Sequence, residues 1–412
     1  MIKGFFVVKT PKEIYKLIDG FAHLDTQTID IKESLQRITA EDVFSPINLP
    51  DFNRSTVDGY AVKAKDTFGA SESLPAVLEV VGEVNMGIPS SINLDDGKAA
   101  KIPTGGMLPS GADAVVMVEY THEIDSLTIE VSKALAPLEN VIQVGDDIKK
   151  EELLIAAGHR IRPQDVGIMA AIGKEEIKVF KRPRVAIIST GDEIVDINSE
   201  PPLGKIRDVN SYTLGALVKD AGAEPLYLGI AEDIFGDLRT KCSVGLKEAD
   251  IVIISGGSSV GVRDLTLDVI TSFPDSKVLA HGISVSPGKP TILAQMGEKA
   301  LWGLPGHVTS AMIVFSLFVE RLIKKMGGHK GHPLEEISRV KAKLSRNMAS
   351  AQGREDYIRV RLEKAEDGAI YAHPILGKSG LLSTMVKAHG LMKIDMNTEG
   401  LEKGEVVDVI LF

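Results

Sequence analysis

Asp250 to Asp264 reads D-I-V-I-I-S-G-G-S-S-V-G-V-R-D, and this stretch decides the fold. Ile251 to Ile254 are four β-branched residues in a row, which pack best on a buried extended strand. Ser255, Gly256 and Gly257 stop that strand. Gly261 then punctuates a loop that runs to Asp264, where a helix is expected to begin. Lacking Cβ atoms, Gly256, Gly257 and Gly261 permit φ > 0 and close backbone approach, so successive N–H groups can converge on an anion. The following helix adds its partial positive end. The pattern is neither a Gly-Lys-Ser/Thr phosphate loop nor a G-x-G-x-x-G fingerprint.

Outward from this stretch, similar buried-type strands are expected at Val185–Ile188, Pro225–Ile230, Pro290–Ala294 and Ala300–Gly303. Helical segments fall between them at 209–221, 235–247 and 264–273, with a long one at 308–326. Apolar strands alternating with amphipathic helices predict a doubly wound, mostly parallel α/β domain over 179–328. Residues 11–44 carry helical spacing in two stretches, Ile14, Leu17, Ile18 and then Ile31, Leu35, Ile38, and helical character returns at 150–178. Between them, short alternating strands such as Val77–Val81 predict a β domain over 46–148, inserted into a helical layer of 1–45 and 149–178. A Gly-rich linker precedes a small C-terminal β domain at 333–412.

The chain of 412 residues is too long for one core, and its 44% apolar and 25% charged residues suit a soluble, multidomain protein. No membrane span and no leader are expected, and the cytoplasm is the default location. A net charge of −10 argues against nucleic acid as a partner, since phosphate neutralisation needs a basic face. One cysteine, Cys242, excludes an internal disulfide and reads as a packing residue. None of the nine histidines forms a pair at ligand spacing on a helix.

In open α/β sheets, ligands bind beyond the carboxyl ends of the strands. Three polar loops belong there: Ser189-Thr190-Gly191-Asp192-Glu193, the 255–264 loop with Ser258 and Ser259, and Ser286-Pro287-Gly288-Lys289. Hydroxyls, glycine amides and the Lys289 charge suit a phosphate. Asp192, Glu193, Asp233 and Asp264 also fall at or after strand ends, and beside an anion they need a cation between. Mg²⁺ satisfies that demand, bridging carboxylates to phosphate oxygens. His307 sits in the loop Leu304-Pro305-Gly306-His307 at a helix start.

Taken in order, these motifs resemble the molybdopterin molybdenumtransferase family of the MoeA and gephyrin E-domain type. The carriers are S-T-V-D-G-Y-A-V at 55–62, T-G-G-M-L-P-S-G-A-D-A-V-V at 104–116, G-D-D-I at 145–148, S-T-G-D-E-I at 189–194 and S-G-G-S-S-V-G-V-R-D at 255–264. S-P-G-K-P at 286–290, L-P-G-H at 304–307, G-R-E-D-Y-I-R-V at 353–360 and K-S-G-L-L-S at 378–383 continue the match over essentially the whole chain. The resemblance implies a homodimer of four-domain subunits that inserts molybdate into adenylylated molybdopterin, releasing AMP, with Mg²⁺. It implies an active cleft shared between the α/β domain of one subunit and the inserted β domain of the other. Carried over by motif, Asp58, Asp147, Glu193, Asp233 and Asp264 are the catalytic candidates, and Glu193, Asp233 and Asp264 the metal candidates. Ser189, Thr190, Gly191, Gly256, Gly257, Ser258, Ser259, Gly261, Ser286, Pro287, Gly288, Lys289, Pro305 and Gly306 are expected around the pterin phosphate.

The chain departs from the family at two places. L-P-G-H-V-T-S stands where L-P-G-N-P-V-S is usual, which opens the choice between molybdate and tungstate. The glycine loop reads S-S-V-G-V-R-D for V-S-V-G-x-x-D, and its Arg263 is similar to the related adenylyltransferases that share the α/β domain. Two other readings stand beside metal insertion: adenylyl transfer to molybdopterin, and a non-catalytic pterin-binding scaffold.

Overall fold

Val185 and Ile187 point into one apolar cluster, Ala186 and Ile188 into another. That split is the period of two that an extended strand imposes, and it requires cover on both faces of the sheet. The computed structural model describes residues 8–256, 265–330, 339–366 and 368–412 and supplies that cover. Helices Asn210–Asp220 and Val308–Val314, with Ile14 and Ile18 of helix Pro11–Asp19, pack on the first face. Helices Phe235–Glu248 and Leu265–Thr271 pack on the second, where Cys242 is fully buried. Burial pushes the Cys242 thiol up to about 12, so it stays protonated and serves as packing.

The six strands run in the order Glu224–Ala231, Arg184–Thr190, Ile251–Ser255, Lys299–Leu304, Ile292–Met296, Ser276–His281. The first four are parallel. The last two pair antiparallel. Ser276–His281 escaped the sequence reading because Lys277 and His281 dilute its short apolar run. Residues 308–326 form one continuous helical rod whose middle, Phe315–Val319, is a π turn.

By chain contacts the protein divides into two compact units. One is Met1–Glu41, Ala157–Gly167 and Lys174–Phe412, and the other Asp42–Ala156 with Ile168–Gly173. In the first, the expected second helical stretch is corrected. Residues 31–38 hold only a three-residue 3₁₀ turn, Ile31–Glu33, capped by Asp30, which accepts from the Lys32 N–H at 2.8 Å. Strand Thr26–Asp30, just before it, pairs antiparallel with Glu176–Phe180, while Leu35 of the apolar spacing is exposed and Ile38 forms an isolated bridge with Arg160. Helical character at 150–178 shrinks likewise to Pro163–Ala171, between strands Leu153–Ile155 and Glu176–Phe180. The alternation in Glu176-Ile177-Lys178-Val179-Phe180, with Ile177 and Val179 buried, is a strand's period and not a helix's.

In the second unit, a six-stranded sheet runs Ala114–Met117, Gly59–Val62, Lys98–Ile102, Ala76–Glu83, Thr128–Val131, Thr121–Asp125. Gly59 is obligatory at its centre, because a Cβ there would drive into the Val116 carbonyl. Back in the first unit, strands Glu355–Lys364, Ile370–Pro374, Arg339–Leu344, Val406–Leu411 and Gly390–Ile394 neighbour one another in turn. The pairing of Gly390–Ile394 back onto Glu355–Lys364 closes the five into a ring. Leu344, Val360, Met392 and Val409 fill its core.

Candidate functional site

Because four strands of the α/β sheet are parallel, the loops after Thr190, Ala231, Ser255 and Leu304 leave from one edge. Ile292 pairs with Gly303, so the turn Ser286–Lys289 reaches the same edge from the antiparallel side. This is where ligand loops in such a sheet belong.

Thr190 is almost fully buried, and its hydroxyl donates to Asp233 Oδ1 at 2.7 Å. The Asp233 N–H in turn donates to Asp192 Oδ1 at 3.2 Å. Asp233 is thereby held at both backbone and side chain, while its carboxylate stays exposed. Gly191 has φ +153°, and a Cβ there would lie 2.7 Å from Glu193 Oε2. The Glu193 carboxylate therefore occupies space that only glycine leaves free. Asp192 acts as the backbone anchor of Asp233.

Ser189 corrects the expectation of a ligand hydroxyl. It is fully buried, donates to Asp208 Oδ1 at 2.9 Å and lies 3.0 Å from Ser211 Oγ. The alternation that turns Thr190 toward the Asp233 loop necessarily turns Ser189 into the domain. Gly256 takes φ +116°, donates to the Leu304 carbonyl at 3.2 Å and packs on the Thr190 carbonyl so closely that no Cβ fits. Asn210 ties the same edge together. Its Nδ2 donates to Ser255 Oγ at 2.7 Å and to the Gly306 carbonyl at 2.8 Å. Main chain from three loops is thus drawn together around Gly256 and Gly306.

Pro305 is buried, whereas Gly306 and His307 are exposed. His307 precedes helix Val308–Val314 without capping it through its side chain, and its ring lies against Gly380. The Thr309 N–H donates to the Ser379 carbonyl at 3.2 Å, so the K-S-G-L-L-S segment borders this loop. In the turn Ser286–Lys289, Ser286 pairs in parallel register with Asp356, the Ser286–Pro287 peptide is cis, and Gly288 (φ +119°) packs on Val314. The Lys289 side chain is exposed and free of any ion pair among the described residues. Gly257, Ser258, Ser259, Gly261 and Asp264 lie outside the described residues.

The second unit gathers its own motif segments. Asp58 Oδ1 accepts from the Thr104 N–H at 2.7 Å and from the Thr104 hydroxyl at 3.0 Å. The backbone bond first, then the hydroxyl, holds the Asp58 carboxyl below the usual carboxylate range. Asn53 accepts from the Val144 N–H at 2.9 Å through its side chain and from the Leu108 N–H at 2.8 Å through its carbonyl. The 53–58, 104–108 and 144–147 segments therefore meet. Asp147 is exposed on the last of them, its N–H bonded to the Leu49 carbonyl at 3.1 Å.

Among the described residues no three metal-ligating side chains cluster. Mg²⁺ does not require such a cage, since it binds through one or two carboxylates together with substrate phosphates and water. Asp233 and Glu193 provide hard oxygen donors of that kind. The residues that the sequence reading missed are Asn53, Thr104, Asp208, Asn210 and Ser211. Thr104 opens the 104–116 motif, whereas the other four stand outside the quoted motifs and carry polarity as their only signal. What they bond to lies far along the chain.

Three family models match the chain. The first, the MoeA N-terminal region (domain I and II), covers residues 9–173. The second, described as "Probable molybdopterin binding domain", covers 186–325, and the MoeA C-terminal region (domain IV) covers 341–412. A molybdopterin molybdenumtransferase of Haemophilus influenzae is 31% identical over 93% of this chain and 93% of its own. Another, from Staphylococcus epidermidis, is 31% identical over 98% of this chain and 95% of its own. The crystal structure of a molybdopterin biosynthesis MoeA protein from Pyrococcus horikoshii superposes with TM-score 0.84 at 36% identity, covering 98% of this chain and 99% of that one.

Proposed function

The chain belongs to the MoeA family of molybdopterin molybdenumtransferases, and from that premise we propose that it inserts molybdate or tungstate into adenylylated molybdopterin, releasing AMP, with Mg²⁺. The observation that carries this reading is the strand-end arrangement at Thr190, Asp233, Glu193, Gly256 and Gly306. Exposed carboxylates stand beside main chain stripped of Cβ atoms, with the Lys289 charge on the neighbouring turn. That combination suits a phosphoanhydride carrying a divalent cation.

In this reading Lys289 and the glycine main chain hold the pterin phosphate and its anhydride to the adenylate. Glu193 and Asp233, with Asp264 beyond the described residues, would hold Mg²⁺, which would supply positive charge against the phosphate oxygens. Water adds across the anhydride, giving AMP and the phosphomonoester. Thr190 and Asp192 act through Asp233 by fixing its direction. Asp58 is kept ionised by Thr104, and Asp147 is exposed. In a homodimer, the partner subunit's Asp58 and the partner subunit's Asp147 complete the cleft and position water or the oxyanion. His307 stands beside the C-terminal K-S-G-L-L-S segment, where it tunes the choice of oxyanion.

The test is direct. Purified protein given adenylylated molybdopterin, Mg²⁺ and molybdate or tungstate releases AMP and yields active cofactor. No AMP release at saturating concentrations of both oxyanions overturns the assignment. ATP consumption with free molybdopterin would move it to adenylyl transfer.

A further inference from the structure

Away from the strand-end loops, a cavity of about 210 Å³ opens where the 36–38 segment, the connection 181–183 and the end of helix Glu320–Met326 meet. Five cationic side chains line it against two carboxylates, Asp220 and Glu320. Lys324 is paired with Glu320 at 2.8 Å, and Lys181 with Asp25 at 3.4 Å. The guanidiniums are different. Arg37 is buried and donates to the Phe180 carbonyl at 2.8 Å, which spends hydrogen-bonding capacity without neutralising charge. Arg160 and Arg182 are exposed and make no hydrogen bond or ion pair among the described residues. Burial, and then the like charge of Arg182, disfavour the protonated form of Arg37.

The cavity lining carries five cations against two carboxylates, so positive charge is in excess there even though Glu224 and Glu33 favour the charged form of Arg37. A doubly charged oxyanion offsets that excess, since guanidinium forks match phosphate geometry two bonds at a time. A second, more open cavity of about 500 Å³ adjoins the first and shares Gln36, Arg160 and His329 with it. Its other charges are already taken. Asp165 binds Arg162 Nε at 2.9 Å and His159 Nε2 at 2.7 Å. The second space therefore offers room without further free cations. Gln36, on the shared rim, holds a left-handed φ of +66°.

We propose that this pocket, formed by Arg37, Arg160 and Arg182, binds a phosphate-type dianion, either free phosphate or the phosphate of a small ester whose organic part lies in the adjoining cavity. The site is separate from the proposed catalytic loops and does not rest on the reading of them.

Calorimetric titration of the full-length protein with inorganic phosphate, and separately with glycerol 3-phosphate, tests it. Wild type binds at least one probe saturably, and each raises the thermal midpoint if it binds the folded state. Arg160→Gln/Arg182→Gln weakens that binding at least about tenfold. Arg182→Lys, which keeps the charge but loses the fork, falls between. Lys289→Ala retains the binding, which separates this site from the catalytic one. Binding by phosphate alone assigns the free ion, and binding by both assigns esters as well. Absence of saturable binding up to about 10 mM, or binding unchanged in the double variant, overturns the proposal. Since neither exposed arginine bonds to the fold, circular dichroism of the variants should match wild type. If the double variant nevertheless fails to fold, the single Arg182→Lys titration decides the matter.

Discussion

Thr190→Val removes one oxygen and leaves the shape of a buried side chain nearly unchanged. The lost interaction is a hydroxyl donating to a carboxylate at 2.7 Å, a charge-assisted bond worth about 1.5–3 kcal/mol. Asp233 is exposed, so water replaces most of that bond, and the cost to folding should be about 1 kcal/mol or less. The cost to catalysis should be larger. The carboxylate keeps its Asp192 backbone anchor but loses the contact that fixes its direction. A misdirected metal ligand costing about 1.4–2.7 kcal/mol in the transition state slows turnover about 10- to 100-fold. AMP release, followed across a Mg²⁺ titration, should show the loss together with a raised Mg²⁺ requirement. Thr190→Ser, which restores the donor, should recover most of the rate. Wild-type turnover and Mg²⁺ dependence in Thr190→Val would refute the role given to this hydroxyl.

Gly191→Ala should shift the Glu193 carboxylate, because the new methyl would sit 2.7 Å from its oxygen; the expected readout is a raised Mg²⁺ requirement with unchanged circular dichroism. Asp208→Ala strips the acceptor from the buried Ser189 hydroxyl and the Ser211 N–H, and should lower unfolding free energy by about 2–4 kcal/mol in urea titrations; an unchanged midpoint would contradict the buried network. The carboxyl of Asp58 titrates below its ordinary value in the folded chain, so its contribution to stability is present above the ordinary carboxylate range and lost as pH falls through the depressed folded value. Thr104→Val removes the smaller of the two causes and should move the Asp58 titration, read by carboxyl-carbon NMR, only part of the way back.

Much of the α/β domain is legible because its signals are local. Ile251 to Ile254 fall in an all-buried strand, Ile251–Ser255, Val185 and Ala300 fall in its parallel neighbours, and Pro225 falls in the strand beyond Val185's. Helices Asn210–Asp220 and Phe235–Glu248 lie within a residue of their expected bounds. Where the signal is short, it misleads. Ile31, Leu35 and Ile38 have helical spacing, yet the segment holds only a 3₁₀ turn, with Leu35 exposed and Ile38 bridging Arg160, because so short a stretch cannot sustain a helix on spacing alone.

The sequence by itself determined the strand–loop–helix order, the family, and which segments carry hydroxyls, glycines and carboxylates, since each follows from neighbours within a few positions. Only the tertiary structure decided which of these groups are free to meet a ligand. Ser189 and Thr190 are adjacent and chemically alike, but one bonds Asp208 inside the domain and the other Asp233 at the strand-end edge, 43 residues away. Asn210 reaches Gly306 across 96 residues. The opposite facing of adjacent strand residues, and the sheet register that brings distant loops to one edge, set those partners. Neither can be counted off along the chain.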